Sequence, residues 1–300
     1  MSVRSVVGRA VFGRVPTASV RRFVRDHYRR WCPEELKPVS TRFGFSMLAS
    51  PHDYASYGIY FFGDYDPRMT DALRHLLRPG MTAWDVGTER GWFTLLMAAC
   101  VGRTGRVDAF EAFPPNVRRL RENLAMNDFP QVRVHAAAVS DRSGSMFFEP
   151  PDDQITGHRR YLSDCSGVGY LTDTPSPRAI CIPTVTIDEV AERERLSRLD
   201  LIKLDIEGAE TAALRGGRQT LKRHRPVLVV EYNRATLRRA GSSLQELDDL
   251  LAELGYDRLH LTTTFRPVDL RRAEQLPDEA VVFNAYCFPR EAAAAVRLAA

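Results

Sequence analysis

The sequence predicts an α/β fold built on a mostly parallel sheet, and three observations carry that prediction. From about Asp66 onward, short apolar runs alternate with amphipathic stretches, the pattern of strands joined by crossover helices. The run TAWDV, ending at Val86, leads into a turn with glycines at Gly87 and Gly91. The next run, RVDAFEA (Arg106 to Ala112), carries an acid near its end, Glu111. Strand, glycine turn, helix, strand and acid, in that order, open a Rossmann-like sheet.

The elements follow in chain order. Residues 1–50 are basic and read as helical, with a candidate helix from Val20 to Trp31. Residues 1–60 are therefore expected to be an N-terminal extension, and 61–300 the main domain. A helix is predicted from Gly91 to Val101. PPNVRRLRENLAMN places Pro114 and Pro115 at a helix start, with Val117, Leu120 and Leu124 at helical spacing. VRVHAAAV is the third strand, and SDRSGSMFFE a turn with an extra extended piece. Residues 150–180 are rich in Pro, Asp, Ser and Gly. They are too long for an ordinary connector and are expected either to shape the substrate site or to form a mobile lid. LDLIKLDI (Leu199 to Ile206) and RPVLVVEYN (Arg225 to Asn233) are buried strands flanking the helical stretch GAETAALRGGRQTLKRH. SSLQELDDLLAELG has an N-cap serine and a terminal glycine, Gly255. YDRLHLTTT and AVVFNAYCF read as two further strands forming a closing antiparallel pair.

Composition narrows the functional classes. The chain has 300 residues, 44% hydrophobic and 27% charged, an ordinary globular balance. No run of about 18 apolar residues is present, so no transmembrane segment is expected. Lysine occurs only at Lys37, Lys203 and Lys222 among 42 basic residues. The arginines are scattered among acids and form no stripe, which speaks against a nucleic-acid partner. Five cysteines without a CxxC pair argue against a zinc site or a disulfide framework and fit a reducing, cytoplasmic setting. Nothing in the pattern specifies an oligomeric state.

The glycine turn decides between cofactors. A dinucleotide needs G-x-G-x-x-G, whose middle glycine lets the pyrophosphate touch the backbone. Here Thr88, Glu89 and Arg90 fill the space between Gly87 and Gly91, and Glu89 would repel a pyrophosphate. No G-K-[ST] follows, so a Walker loop is absent as well. S-adenosylmethionine matches better, because it has no phosphate and carries an ammonium and a sulfonium. Asp85 and Glu89 can attract those cations. The helix opening at Gly91 can meet the carboxylate, for about 0.3–1 kcal/mol. Glu111 can accept both ribose hydroxyls, a device that nicotinamide enzymes share.

These stretches together resemble the FkbM family of S-adenosylmethionine-dependent methyltransferases, over roughly residues 58–233. DYDPRMTDALRHLLRPGMTAWDVG, GTERGWFTLLMA and VDAFEAFPPNVRRLRENLAMN lie in the family's order. AAAVSDRSGSMFF and TVTIDEV come next, and LDLIKLDIEGAETAALRGGRQTL followed by RPVLVVEYN is the most specific stretch. The resemblance implies a class I methyltransferase fold: a seven-stranded, mostly parallel sheet, helices on both faces and a closing antiparallel strand. It implies O-methylation of a small-molecule, polyketide or sugar acceptor. Tyr65 and Asp66 match the family segment before the first strand, which places Asp66 beside the cofactor. The family turn reads Gly-Ala-Asn-x-Gly, so Glu89 is a departure; it only accepts hydrogen bonds, and Arg90 is expected to meet the cofactor carboxylate. The third strand lacks an acid for the adenine amine, leaving backbone carbonyls, or Ser140 and Asp141 just beyond, as candidates.

The acceptor chemistry is expected at the carboxyl ends of the strands, where Asp85, Glu111, Asp205 and Glu231 converge. Lys203 and Asp205 are two apart and share a face; Glu207 follows in the turn. They read either as a buried ion pair that fixes the strand or as the group that orients and deprotonates the acceptor hydroxyl, with Asp205 as base. Glu207, Glu231, His158 and His52 are further candidate bases. A magnesium site from Asp205, Glu231 and Asn233 is an alternative, which the resemblance does not call for. A nicotinamide oxidoreductase and a non-catalytic cofactor-binding scaffold are the competing functions.

Overall fold

The computed structural model describes residues 35–52, 56–150, 169–261, 267–269 and 282–292. The candidate helix Val20–Trp31, His158 and most of the irregular insertion lie outside them.

Two short strands come first, β1 (Lys37–Ser40) and β2 (Ser46–Ala49), paired antiparallel. The reading of residues 1–50 as helical does not hold over 37–49. There the hairpin lays Met47 and Ala49 on the core, and Phe43 and Phe45 pack edge-on against Trp92. Those contacts are long-range, so no local periodicity announces them. Helix α1 (Tyr57–Phe62) follows, then α2 (Pro67–Leu76), which has proline at its first position.

The first crossover unit is β3 (Thr82–Val86), α3 (Trp92–Val101), β4 (Arg106–Phe110), α4 (Pro114–Ala125) and β5 (Val132–His135). A second small sheet comes next, from β6 (Ala138–Val139), β7 (Gly144–Glu149), β8 (Tyr170–Thr172) and β9 (Ile180–Val185), in the order β6-β9-β7-β8. The main sheet resumes through α5 (Ile187–Arg193), β10 (Leu201–Leu204), α6 (Glu210–Arg215), α7 (Arg218–His224) and β11 (Val227–Asn233). Where the sequence reads as one helix, α6 and α7 are separate. Gly216 and Gly217 part them, and a Cβ at Gly216 would lie 2.3 Å from the Ser140 carbonyl oxygen. The remaining elements are α8 (Arg234–Arg239), α9 (Leu244–Glu253), β12 (Tyr256–Leu261), β13 (Pro267–Asp269) and β14 (Val282–Pro289). Ser243 caps α9 by accepting from the Glu246 N–H.

The main sheet runs β13-β12-β14-β11-β10-β3-β4-β5. From β5 to β11 every neighbour is parallel. Strand β14 enters antiparallel between β11 and β12, so seven strands form the expected sheet with its closing antiparallel strand. The three-residue β13 adds an eighth at the edge. Helices cover both faces. One face packs Trp84, Val86, Ile202, Leu204 and Val230 with Ile187, Leu214 and Leu247. The other packs Ala83, Val107, Leu201, Val229 and Tyr286 with Met69, Leu73, Trp92 and Leu96. A polar chain ties the second face together: Arg42 to Asp64, Thr70 to Asp64, and Trp92 to Thr70. At the β5 edge, Asp108 is buried and accepts from Arg106 and His135, while Arg106 and Arg133 share Glu194. Burial alone would raise the Asp108 carboxyl; His135 and Arg106 outweigh it and hold the carboxyl below its usual range.

Candidate functional site

The parallel ladders end in register. Val86 pairs with Leu204 on one side and Phe110 on the other. Leu204 pairs with Val230, and Glu231 with Asn284. One residue past the last paired positions, the rim therefore reads Glu111, Gly87, Asp205, Glu231, Asn284 across five strands. The backbone bonds from Gly87 to Phe110 and from Asp205 to Val86 continue the ladder into this row. Since paired residues share a face, the four side chains of the row lie on the face that carries Ala83, Leu201, Val229 and Tyr286.

Gly87 is required between Glu111 and Asp205 for two reasons. Its φ is 83°, where L side chains are strained, and a Cβ there would lie 1.9 Å from the Asp205 carbonyl oxygen. The turn continues with Glu89 at φ 52° and Gly91 at φ 92°, and α3 begins immediately after. Four peptide N–H groups at the start of a helix have no intrahelical partner, so this end of α3 carries partial positive charge.

Beneath the turn, Lys203 is 2% exposed and Asp85 is fully buried. The Lys203 ammonium lies 3.4 Å from Asp85 Oδ1, 3.4 Å from Asp205 Oδ2 and 3.3 Å from the Gly87 carbonyl oxygen. The Phe93 ring lies 5.3 Å away. Burial alone would lower the lysine; the charges of Asp205 and Asp85 outweigh it and hold the ammonium above its usual range. Burial lifts Asp85, against the pull of Lys203 and of the Thr94 hydroxyl, which donates to its Oδ2 at 2.6 Å.

Glu111 is buried, and its two oxygens accept from the Glu89 and Phe113 N–H groups at 2.9 and 2.8 Å. Burial nevertheless pushes its carboxyl up to about 7. Beyond it opens a groove of 580 Å³ lined by Ala112, Pro114, Val117, Ala136 and Ile182. Arg90 is buried, and its Nε lies 3.5 Å from Glu89 Oε1, so the two residues expected at the ammonium and carboxylate of a cofactor face each other here. Asp66 caps α2, accepting from the Arg68 and Met69 N–H groups, and its charge is felt by Tyr286 on the row's face. Ser140 is buried at the end of β6, hydrogen-bonded to Val185 and 3.3 Å from Asp141. Among the described residues no hydrogen bond joins either to the row.

Asp205 is 33% exposed at the rim. Glu207 sits at φ 56°; burial, then the charge of Asp205, pushes it up to about 8, against Arg239. Burial and the charges of Asp205, Glu207 and Glu210 push Glu231 up to about 9, against Lys203. Asn233 caps α8, its side chain accepting from the Ala235 and Thr236 N–H groups, and among the described residues no group of three or more acids, histidines or cysteines is placed to hold a metal ion. Two site residues escape sequence reasoning. Glu210 is 1% exposed, and its carboxylate accepts from the Ile206 N–H and faces the N–H groups of Gly208 and its own residue. Asn284 sits beside Glu231, and its Oδ1 has no donor among the described residues. Glu210 lies inside the LDLIKLDIEGAE stretch, three past Glu207, a spacing that returns to the same side of a helical turn. No local signal marks Asn284.

Glu111→Gln is expected to weaken binding of S-adenosylmethionine about tenfold or more, the size of losing a hydrogen bond to a charged group. Titration calorimetry measures it, and an unchanged affinity removes Glu111 from the ribose role.

Among the described residues no helix is long and apolar enough to cross a membrane. A family model described as the methyltransferase FkbM domain matches residues 85–258. The chain is 29% identical over 153 residues to the 2-O-methyltransferase NoeI of Sinorhizobium fredii, which covers 47% of this chain and 59% of that protein. It is 27% identical over 187 residues to the hexuronic acid methyltransferase AglP of Haloferax volcanii, covering 61% of this chain and 67% of that one. The crystal structure of an FkbM methyltransferase from Methylobacillus flagellatus aligns with a TM-score of 0.43 at 16% identity, over 77% of this chain and 52% of that chain.

Proposed function

We infer the activity from one plain fact: the chain belongs to the FkbM methyltransferase family. It transfers the methyl group of S-adenosylmethionine to a hydroxyl oxygen of a sugar or other small hydroxylated acceptor, and uses neither nucleic acid nor a bound metal. The observation that carries this reading is the rim row itself, with Gly87 flanked by acids on both sides and a helix start above it.

A cationic, phosphate-free cofactor suits that row. Lying over Gly87, it meets the backbone where a Cβ has no room. Glu111 on one side takes the ribose, and the apolar groove past Ala112 takes the adenine. Asp85, Glu89 and Asp66 supply negative charge for the ammonium and sulfonium, with Gly91 opening the helix that faces the carboxylate. Ser140 and Asp141 are left as the polar groups nearest in sequence to the adenine side. On the other side, Asp205, held in place by the buried Lys203 ammonium, orients the acceptor oxygen in line with the methyl–sulfur bond, and Glu207 closes the turn beside it. Alignment of this kind contributes several kcal/mol to a displacement, about 7–11 at most. Two relatives support a sugar-type acceptor: one is named for 2-O-methylation and one for hexuronic acid.

Calorimetry with S-adenosylmethionine and with NAD tests the reading. Binding of the first and none of the second is expected, and the converse result overturns it. A screen of hydroxylated sugars with labelled cofactor then identifies the acceptor, and Asp205→Asn is expected to lower turnover while cofactor affinity holds.

A further inference from the structure

Methylation of an alcohol leaves a proton to be placed. Asp205 is badly suited to take it, because its Oδ2 is tied to the buried Lys203 ammonium at 3.4 Å. Protonation there would break an ion pair that burial has made strong. Glu231 is its neighbour in the row and is differently placed. Its Oε2 is buried, and among the described residues it accepts no hydrogen bond and forms no salt bridge. The Oδ1 of Asn284, opposite it in the ladder, likewise has no donor among the described residues. As long as Glu231 is ionised, two facing oxygens on β11 and β14 are therefore left without a donor among the described residues, and a proton on Glu231 relieves that.

The groups facing Glu231 can be named element by element. Strand β10 presents Asp205 and Lys203, the turn after it Glu207, and helix α6 Glu210. Strand β14 presents Asn284. From α8, Arg239 donates to the Glu207 carbonyl oxygen. Acids outnumber cations around it.

Resting on the activity inferred above, we propose that Glu231 stores the acceptor's proton, and that the charge of the cofactor sets when it is empty. In the free enzyme burial and the neighbouring acids Asp205, Glu207 and Glu210 raise Glu231 and favour its protonated form. A sulfonium arriving at the row adds a positive charge and drives that proton off to solvent. In the transfer step, a lone pair of the acceptor oxygen forms the new C–O bond. The C–S bonding pair stays on sulfur, and the O–H proton passes to the Glu231 carboxylate. A sulfonium and a carboxylate become a thioether and a carboxylic acid, so the net charge of the site does not change. The reaction therefore never has to create an isolated charge in a buried place.

The test needs no acceptor. Calorimetry at pH 6.5, below the titration of either ligand's ammonium, in two buffers of different ionisation enthalpy counts the protons exchanged on binding S-adenosylmethionine and S-adenosylhomocysteine. At that pH both ligands carry the same ammonium, carboxylate and ribose, so the difference isolates the sulfonium. The S-adenosylmethionine complex is expected to hold about one proton fewer, and its affinity relative to the product to rise by up to about tenfold per pH unit between pH 6 and 7. The sign follows because binding that expels a proton is favoured as pH rises. Glu231→Gln should abolish the difference with both ligands still bound, and Glu207→Gln should keep it. Equal proton counts in the wild type overturn the proposal without any variant. So does a difference that survives in Glu231→Gln or disappears in Glu207→Gln. Failure of either ligand to bind is a separate outcome, and it overturns the cofactor assignment together with everything resting on it.

Discussion

Gly87→Ala is expected to abolish cofactor binding and to lower the unfolding midpoint sharply. The added Cβ would lie 1.9 Å from the carbonyl oxygen of Asp205 and 2.8 Å from its carbonyl carbon. Both are backbone atoms, so no rotamer change relieves the overlap. The rims of β3 and β10 must separate, which breaks the bond from the Asp205 N–H to Val86 and disturbs the row that seats the ligand. Backbone strain at positive φ costs about 1–2 kcal/mol and overpacking about 1–3, or about 5–15 °C in a domain of this size. Gly44→Ala is the matched control. Its φ is 87° and nothing lies within 4 Å of the added Cβ, so it measures the backbone strain alone. Thermal melts of the two variants separate the strain from the overlap, and equal shifts would show that the close approach of Gly87 to β10 carries no weight.

Lys203→Met is expected to lose about 3–5 kcal/mol, the cost of stranding a buried charge. The ammonium is the only cation within ion-pair distance of Asp85 among the described residues, and without it Asp85 must bury a bare carboxylate or fold with a proton. Urea unfolding at pH 7 measures the loss, and Asp85→Asn combined with Lys203→Met should recover part of it. The pH dependence has a definite sign. A carboxyl raised in the folded state above its unfolded value stabilises folding fully below the unfolded value and loses that contribution as pH rises. The gap between variant and wild type should therefore narrow as pH falls from 7 towards 4, and a gap independent of pH would mean that Asp85 is not the stranded group. Lys203→Arg is no remedy, since a planar guanidinium has five donors and a larger outline. This distinguishes position 203 in a chain that otherwise favours arginine.

Much of this was legible in the sequence because parallel strands buried on both faces read as continuous apolar runs. TAWDV matches β3 residue for residue, and RPVLVVEYN contains β11. The acids at strand ends were legible for the same reason, since each ends an apolar run. The β1–β2 hairpin was not, because its apolar residues are fixed by contacts with Trp92, about fifty positions away. The break between α6 and α7 was missed because only the approach of the Ser140 carbonyl and of Ile187 makes Gly216 and Gly217 necessary. Asn284 entered the site through strand pairing alone: it lies 53 positions beyond Glu231, opposite it in the ladder. The family resemblance foresaw the sheet. It did not foresee that Arg90 faces Glu89 in the turn.

The ion network at β5 has a consequence outside the catalytic rim. Strand β5 is the outermost strand on its side of the sheet, and an outer strand offers unpaired peptide groups to any chain that can lie alongside. Here the strand is only four residues long and carries Arg133 exposed, with Arg106, Glu194 and His135 clustered about it. An incoming strand would have to strip water from the exposed Arg133 guanidinium before its first hydrogen bond formed. The flank that could nucleate fibrous self-association is thus kept wet, and crowded copies of the enzyme can slide past one another there without zipping together.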